Sequence, residues 1–131
     1  MYKFTLPIYG VVAPKKNNKN CAITLNWSRA AHYRDYGKAK KTFKLLINNQ
    51  LRRSRKFEGK IKINYVYYAN KKGTDLDNFV GVAKKFFQDA LVESGLIDDD
   101  NVNYIISNSE SYGGIDRKAP RVEAEIVSAN R

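Results

Sequence analysis

Two kinds of hydrophobic periodicity divide the chain into short strands and two longer helices. Strict alternation of apolar and polar residues, as in residues 60–68 (KIKINYVYY), is typical of a half-buried strand. Apolar residues that recur every three or four positions are typical of an amphipathic helix. Strands are predicted at residues 2–8, 21–27, 60–68, 102–108 and 121–128. Helices are predicted at residues 28–51 and 76–94.

The order of these elements is ββ-α-β-α-ββ, which predicts an α+β fold. We expect a single domain over residues 1–131, with a mixed β-sheet and the two main helices packed on one face. Ser28 is a suitable N-cap for the first helix, and Gly95 is placed to end the second. Polar residues 14–20 are predicted to form a loop between the first two predicted strands.

Composition narrows the class of protein. The chain has 131 residues, 43% of them apolar, which is enough for one modest core. No apolar run approaches the ~20 residues that a membrane span needs, and the N-terminal segment is too polar for a signal peptide. The single Cys21 forms no internal disulfide, and one His provides no Cys/His zinc pattern. We therefore expect a cytoplasmic protein with no membrane partner and no small-molecule cofactor.

The positive charge is concentrated in the first part of the chain. The net charge is +11, and residues up to Gly73 include 18 Lys/Arg but only two acidic residues. From Thr74 onward there are six Lys/Arg and 11 acidic residues. The basic part favours a polyanionic partner, of which DNA or RNA is the most common. Solvated surface charge without a nucleic-acid partner is the alternative explanation.

The most distinctive motif is Thr74-Asp75-Leu76-Asp77-Asn78, just before the second predicted helix. If this segment is still extended, Asp75 and Asp77 point to the same side, because side chains in extended chain repeat every two residues. Two carboxylates at a helix N-terminus suit a hard cation such as Mg²⁺. Ordinary N-capping of the helix is the simpler interpretation.

A second acidic cluster, Asp98-Asp99-Asp100, follows the same helix. It lacks the spacing of a calcium loop, and by itself it is more often a solvated turn. We expect the two clusters to meet at one end of the sheet. Carboxylates held close together repel one another unless a divalent ion lies between them, which is the arrangement that metal-dependent nucleases use.

The order of several motifs resembles the RusA family of Holliday-junction resolvases. These motifs are Asp75-Leu76-Asp77-Asn78, Lys85 before Asp89-Ala90-Leu91, Gly95, and Asp99-Asp100; Leu6-Pro7, Pro14 with Asn17-Asn18, and Tyr33-Arg34-Asp35 fall in similar order. The likeness therefore covers nearly the whole chain. It implies a homodimer that cuts four-way DNA junctions by paired nicks with Mg²⁺ or Mn²⁺, in recombination and repair. It also implies a bacterial or phage-infected cell as the setting.

The resemblance assigns roles to individual residues. Asp75 and Asp77 match the first two metal-binding carboxylates, and Asp100 matches the third, with Asp99 as the alternative. Lys85 matches the catalytic lysine. The family has this lysine four residues after the second Asp, where this chain has Gly81.

The four-residue shift of that lysine moves it ~6 Å further along the helix axis. Lys84 is the second candidate because its helical phase lies closer to Asp77. Gly81 has no side chain, which would let either lysine lean back toward the carboxylates. A solvated helix surface is the alternative explanation for both lysines.

A set of basic residues is predicted to hold DNA phosphates by charge. It comprises Lys15, Lys16, Lys19, Arg34, Lys38, Lys41, Lys71, Lys72 and Lys84. Trp27 and the tyrosines have faces for base stacking, although core packing is the more usual use of such residues. Three other functions are open: a branched-DNA binding module with little or no cleavage, a nuclease for flaps or forks, and an RNA-binding protein.

Overall fold

A computed structural model describes residues 2–12 and 21–129, and Lys15, Lys16 and Lys19 lie outside the described residues. One mixed sheet contains four strands in the order β1-β4-β2-β3. The elements are β1 (Lys3–Leu6), α1 (Leu25–Ala30), α2 (Tyr33–Leu46), α3 (Asn48–Arg52), β2 (Ile61–Ala69), α4 (Leu76–Glu93), β3 (Ile105–Ile115) and β4 (Arg121–Ser128). Strands β2 and β3 are parallel, whereas β4 pairs antiparallel with both β1 and β2.

The core lies on one face of this sheet. Alternate residues of β2, from Ile61 to Ala69, are buried, while the residues between them are exposed or half-buried. Helix α4 covers the buried face, and Phe87 packs against Phe4 (ring centroids 5.0 Å apart) and Tyr65 (6.3 Å). Helix α2 packs on α4 through Phe43 and Phe86, with ring centroids 5.6 Å apart. The predicted α+β fold, with two main helices on one face of a mixed sheet, is confirmed.

The predicted strand at residues 21–27 is wrong. Residues 21–24 have no regular structure, and α1 begins at Leu25. The Thr24 hydroxyl accepts a hydrogen bond from the Trp27 backbone N–H at 3.0 Å, so a side-chain cap starts a helix within an alternating sequence.

The single helix predicted at residues 28–51 is divided into α1, α2 and α3. Helix α1 ends at Ala30, and the His32 ring nitrogen Nδ1 caps α2 by accepting from the Arg34 backbone N–H at 3.2 Å. The helical path breaks again at Ile47, before α3. His32 is therefore a capping residue.

The later elements agree more closely with their predictions. Helix α4 ends within one residue of the expected position, and Gly95 follows it with φ of 78°, a backbone conformation that suits glycine at a helix end. Strand β4 has the predicted bounds. Strand β3 begins later than expected and continues through Gly113 and Gly114. In the part of the chain that the structure describes, no helix is both long and apolar enough to cross a membrane.

Candidate functional site

Asp75 is the N-cap of α4. Its backbone is extended (φ −89°, ψ 124°), and its Oδ1 accepts hydrogen bonds from the backbone N–H groups of Asp77 at 3.0 Å and Asn78 at 3.5 Å. The side chain is exposed to solvent. One carboxylate oxygen therefore stabilises the helix start, and Oδ2 has no part in these capping bonds.

Asp77 already lies in the first turn of α4 and is also exposed. The expected two-residue repeat of an extended segment therefore does not apply to this pair. Neighbouring polar residues hold the helix start in place. The Asn78 Oδ1 accepts from the Asn26 backbone N–H at 3.1 Å, which joins α1 to α4, and the Thr74 hydroxyl accepts from the Tyr67 hydroxyl at 3.0 Å. The result is two exposed carboxylates on a well-anchored helix N-terminus.

The second acidic cluster forms a turn after α4. Asp98 makes an ion pair with Lys56 at 2.7 Å. The Asp99 carboxylate accepts from the Asp100 backbone N–H at 2.7 Å and from the Asn101 side-chain amide at 3.0 Å. All three Asp side chains are exposed. Asp99 therefore has a local role in the turn, while Asp100 presents its carboxylate to solvent.

The structure does not bring the two acidic clusters together within one chain, and this sequence expectation is wrong. Helix α4 has 18 residues, so it separates its two ends by ~27 Å. Asp75 follows the end of β2, whereas Asp98 contacts Lys56 just before β2 begins. Metal–oxygen bonds are ~2.0–2.6 Å long, so no ion spans this separation. Among the described residues no group of three His, Cys, Asp or Glu is placed to hold a metal.

The two candidate lysines occupy different environments. Lys84 is half-buried, and its Nζ makes an ion pair with the Glu110 Oε1 on β3 at 3.1 Å. Lys85 is exposed. A Cβ atom at Gly81 would lie 2.9 Å from the Leu25 Cδ2 of α1, so a leucine occupies the space beside Gly81. The missing side chain at Gly81 therefore allows α1 to pack closely on α4, and it gives neither lysine space to lean back toward the carboxylates.

Several cations lie at the same end of the sheet as Asp75 and Asp77. Lys71 and Lys72 are exposed in the turn that leads into the Asp75 cap. Arg117 and Lys118 are exposed in the β3–β4 loop. This loop is joined to the end of β2 because the Asp116 backbone N–H donates a hydrogen bond to the Ala69 carbonyl at 2.8 Å. Arg117 and Lys118 are not among the basic residues predicted from the sequence to hold DNA, although a basic pair in a loop is a usable signal.

A concavity of about 730 Å³ lies at the same end, with Tyr9, Asn70, Arg117 and Lys118 in its lining. A smaller one of about 240 Å³ lies beside Asp75 and is lined in part by Lys72 and Tyr112. Basic residues on concave surfaces are suited to phosphate backbones. This end of the molecule therefore combines carboxylates, cations and accessible space.

The basic side of α2 is only partly available to a ligand. Arg34, Lys38 and Lys41 are exposed, as the DNA-binding prediction requires. Two other lysines of α2 instead hold α4 through acidic partners: Lys40 pairs with Asp89 at 3.0 Å, and Lys44 pairs with Glu93 at 3.1 Å.

The aromatic residues near the site mostly pack inside the protein. Trp27 stacks on Tyr36 with ring centroids 5.9 Å apart, and Phe79 stacks on Tyr67 at 5.2 Å. Tyr112 is 55% exposed and lines the smaller concavity together with Thr74 and Leu76, the two neighbours of Asp75 in the chain.

The chain matches no family model, and no curated protein matches it. The resemblance to the RusA family therefore rests on the order of the motifs alone.

Proposed function

We propose that this protein is a divalent-metal-dependent endonuclease that cuts branched DNA, with four-way junctions as the preferred substrate. The observation that carries the proposal is the end of the sheet where two exposed carboxylates, Asp75 and Asp77, stand among exposed cations. The order of motifs and the net charge of +11 support the same function. A cytoplasmic homodimer acting in recombination or repair is part of this proposal.

The residues at this end fit a magnesium ion. Mg²⁺ prefers hard oxygen ligands and is commonly bound through one or two carboxylates together with substrate phosphates. Asp75 Oδ2 and the Asp77 carboxylate are donors of this type, since Oδ2 is not used in capping α4. When bound, the metal supplies a water of lowered pKa and stabilises charge on the phosphate.

The protein side chains position the DNA for this chemistry. Lys71 and Lys72 attract phosphates toward the carboxylates, and they do so without selecting a base sequence. The anchored start of α4 keeps Asp75 and Asp77 in place, because Asn78 and Thr74 are hydrogen-bonded to neighbouring elements. Lys84 reaches a phosphate only by exchanging its Glu110 partner, whereas Lys85 is exposed.

A labelled synthetic junction tests the proposal. In Mg²⁺ the protein should release nicked duplexes, and the Asp77→Asn variant should bind the junction without cutting it. Asp98→Asn is the matched control, because it removes a carboxylate from a solvent-exposed ion pair that contributes little to stability. Undiminished cleavage by Asp77→Asn, or cleavage in EDTA equal to that in Mg²⁺, contradicts the mechanism.

A branched-DNA binding protein with little or no cleavage is the second candidate. One observation favours it: Asp75 is used as a helix cap and Lys84 is paired with Glu110, so a single chain has two of its expected catalytic groups in structural contacts. Tight junction binding with no cleavage in either Mg²⁺ or Mn²⁺ would identify this function. A panel of flaps, forks and junctions distinguishes a junction-selective nuclease from one that acts on other branched DNA.

A further inference from the structure

A dense basic segment lies at the end of the sheet away from Asp75. Residues 51–60 (LRRSRKFEGK) contain five Lys/Arg and one acidic residue, Glu58. The segment follows α3 and leads directly into β2, whereas Asp75 follows the end of β2. Strand β2 has nine residues, so it separates the two ends by ~26 Å. The basic segment is therefore too far from the carboxylates to hold the same phosphate.

Contacts with the turn after α4 hold the basic segment in place. The Phe57 backbone N–H donates a hydrogen bond to the Leu96 carbonyl at 2.9 Å. Lys56 makes its ion pair with Asp98 at 2.7 Å. A ligand therefore meets a surface that is already formed, and binding does not have to order the segment first.

Three arginines of this segment are available to a ligand. Arg52, Arg53 and Arg55 are exposed, and their side chains make no ion pair or hydrogen bond among the described residues. Lys40 and Lys84, by contrast, are paired with acidic side chains of other elements. Guanidinium groups so close in the chain repel one another, and a bound polyanion relieves that repulsion. Their planar donor geometry is suited to phosphate oxygens.

Two of these arginines line a concavity that also has an exposed aromatic ring. Arg53 and Arg55 border a space of about 550 Å³ together with Tyr2 and Phe57. Tyr2 is 68% exposed, and its ring centroid lies 5.9 Å from that of Phe57. The Tyr2 carbonyl accepts a hydrogen bond from the Ile126 N–H of β4 at 2.7 Å, which fixes the backbone beneath the ring. An aromatic ring beside guanidinium groups is the combination that binds single-stranded nucleic acid.

The acidic residues near this end leave the concavity basic. Glu58 is the acidic residue in its lining among the described residues, and it faces three cations, Arg53, Arg55 and Lys56. The ion pair with Asp98 neutralises Lys56. Arg53 and Arg55 therefore remain to hold phosphates.

We propose that this concavity binds single-stranded DNA, with a base stacked on Tyr2 and the adjacent phosphates held by Arg53 and Arg55. A duplex cannot use the tyrosine in this way, because its bases are stacked on one another and present only their edges in the grooves. The surface therefore favours DNA with an unpaired segment, such as a gap, a flap or the single-stranded arm of a fork. The choice of DNA over RNA rests on the proposed function, whereas single-strand binding itself requires no metal and no cleavage.

Binding measured in EDTA tests this surface without cleavage. Fluorescence anisotropy gives the affinity for a short labelled oligothymidine and for a blunt duplex of the same length. Tyr2→Ala should weaken binding of the single strand by about 5- to 150-fold, the range expected for one stacked base, and should leave duplex binding unchanged. Tyr2→Phe keeps the ring and should bind as the wild type does. Circular dichroism verifies that each variant is folded.

Salt dependence tests the two arginines. Arg53→Gln and Arg55→Gln should each reduce the slope of log binding constant against log salt by ~0.7 for the single strand. Arg29→Gln is the matched control, since Arg29 is an exposed arginine of α1 outside the concavity, and it should leave the slope unchanged.

Three results would overturn the proposal. Oligothymidine binding that Tyr2→Ala and both arginine variants leave unchanged shows that single strands bind elsewhere. Equal losses of single-strand and duplex affinity in the arginine variants, with no effect of Tyr2→Ala, identify a general polyanion surface instead. Tighter binding of oligouridine than of oligothymidine assigns the surface to RNA. None of these results involves metal or cleavage, so the junction assay decides the proposed function separately.

Discussion

Replacing Asp75 by asparagine and by alanine separates its capping contacts from the metal binding that we propose. The carboxylate accepts hydrogen bonds from two backbone N–H groups at the start of α4, at 3.0 and 3.5 Å. Asparagine caps helices about as well as aspartate, so Asp75→Asn should lose only the charge–dipole part, ~0.3–1 kcal/mol. Alanine removes the acceptor, and the expected cost is ~1 kcal/mol within a range of ~0.5–2 kcal/mol.

For a chain of 131 residues, a loss of 1 kcal/mol lowers Tm by roughly 3–5 °C. Thermal and denaturant unfolding followed by circular dichroism measure the stability of both variants. Junction cleavage in Mg²⁺ measures their activity, which should be lost in both because neither provides a carboxylate at position 75. Wild-type cleavage by the folded Asp75→Asn variant would show that Asp75 is only a helix cap. Equal and large destabilisation by both substitutions would refute the capping argument.

Three further predictions concern packing, pH and salt. Gly81→Ala should lower the free energy of unfolding, because the new Cβ would lie 2.9 Å from a leucine of α1. Gly37→Ala, in open space within α2, should raise the free energy of unfolding by ~0.4–1 kcal/mol. Equal effects of the two substitutions in denaturant melts would contradict this prediction. Hydrogen bonds from Arg121 lower the pKa of Asp116. Burial raises the pKa of Glu123, but hydrogen bonds from Arg121 and Lys3 together outweigh it, so this pKa is also lowered. The stability that these contacts contribute is present above the unfolded-state pKa values of the two carboxyl groups, and it is lost as the pH falls through their folded-state pKa values. The free energy of unfolding of Arg121→Met should therefore fall less steeply than that of the wild type between about pH 5 and pH 2. Lys72→Gln should reduce the slope of log binding constant against log salt by ~0.9 if that lysine contacts a phosphate, and Lys62→Gln, on the open face of the sheet, should not.

Local sequence patterns determined much of the secondary structure. Strand β4 and helix α4 lie where alternation and helical spacing predicted them, because each buries one side of a regular element against the core. Asp75 begins α4 and Gly95 follows its end, and both act through adjacent residues, so the two ends of α4 were also predictable. The helices before β2 were not predictable from the apolar pattern, because the caps at Thr24 and His32 decide where α1 and α2 begin.

The acidic motifs that suggested a metal site were visible in the sequence, but their relative position was not. The sequence separation between Asp77 and Asp100 is compatible with two arrangements. After the helix, the chain could turn back to the end of the sheet where Asp77 lies, or it could remain at the opposite end. Only the tertiary structure decided this. Strands β2 and β3 are parallel, so α4 must carry the chain back along the length of the sheet and leave the two clusters at opposite ends. The same topology leaves β3 at one edge of the sheet.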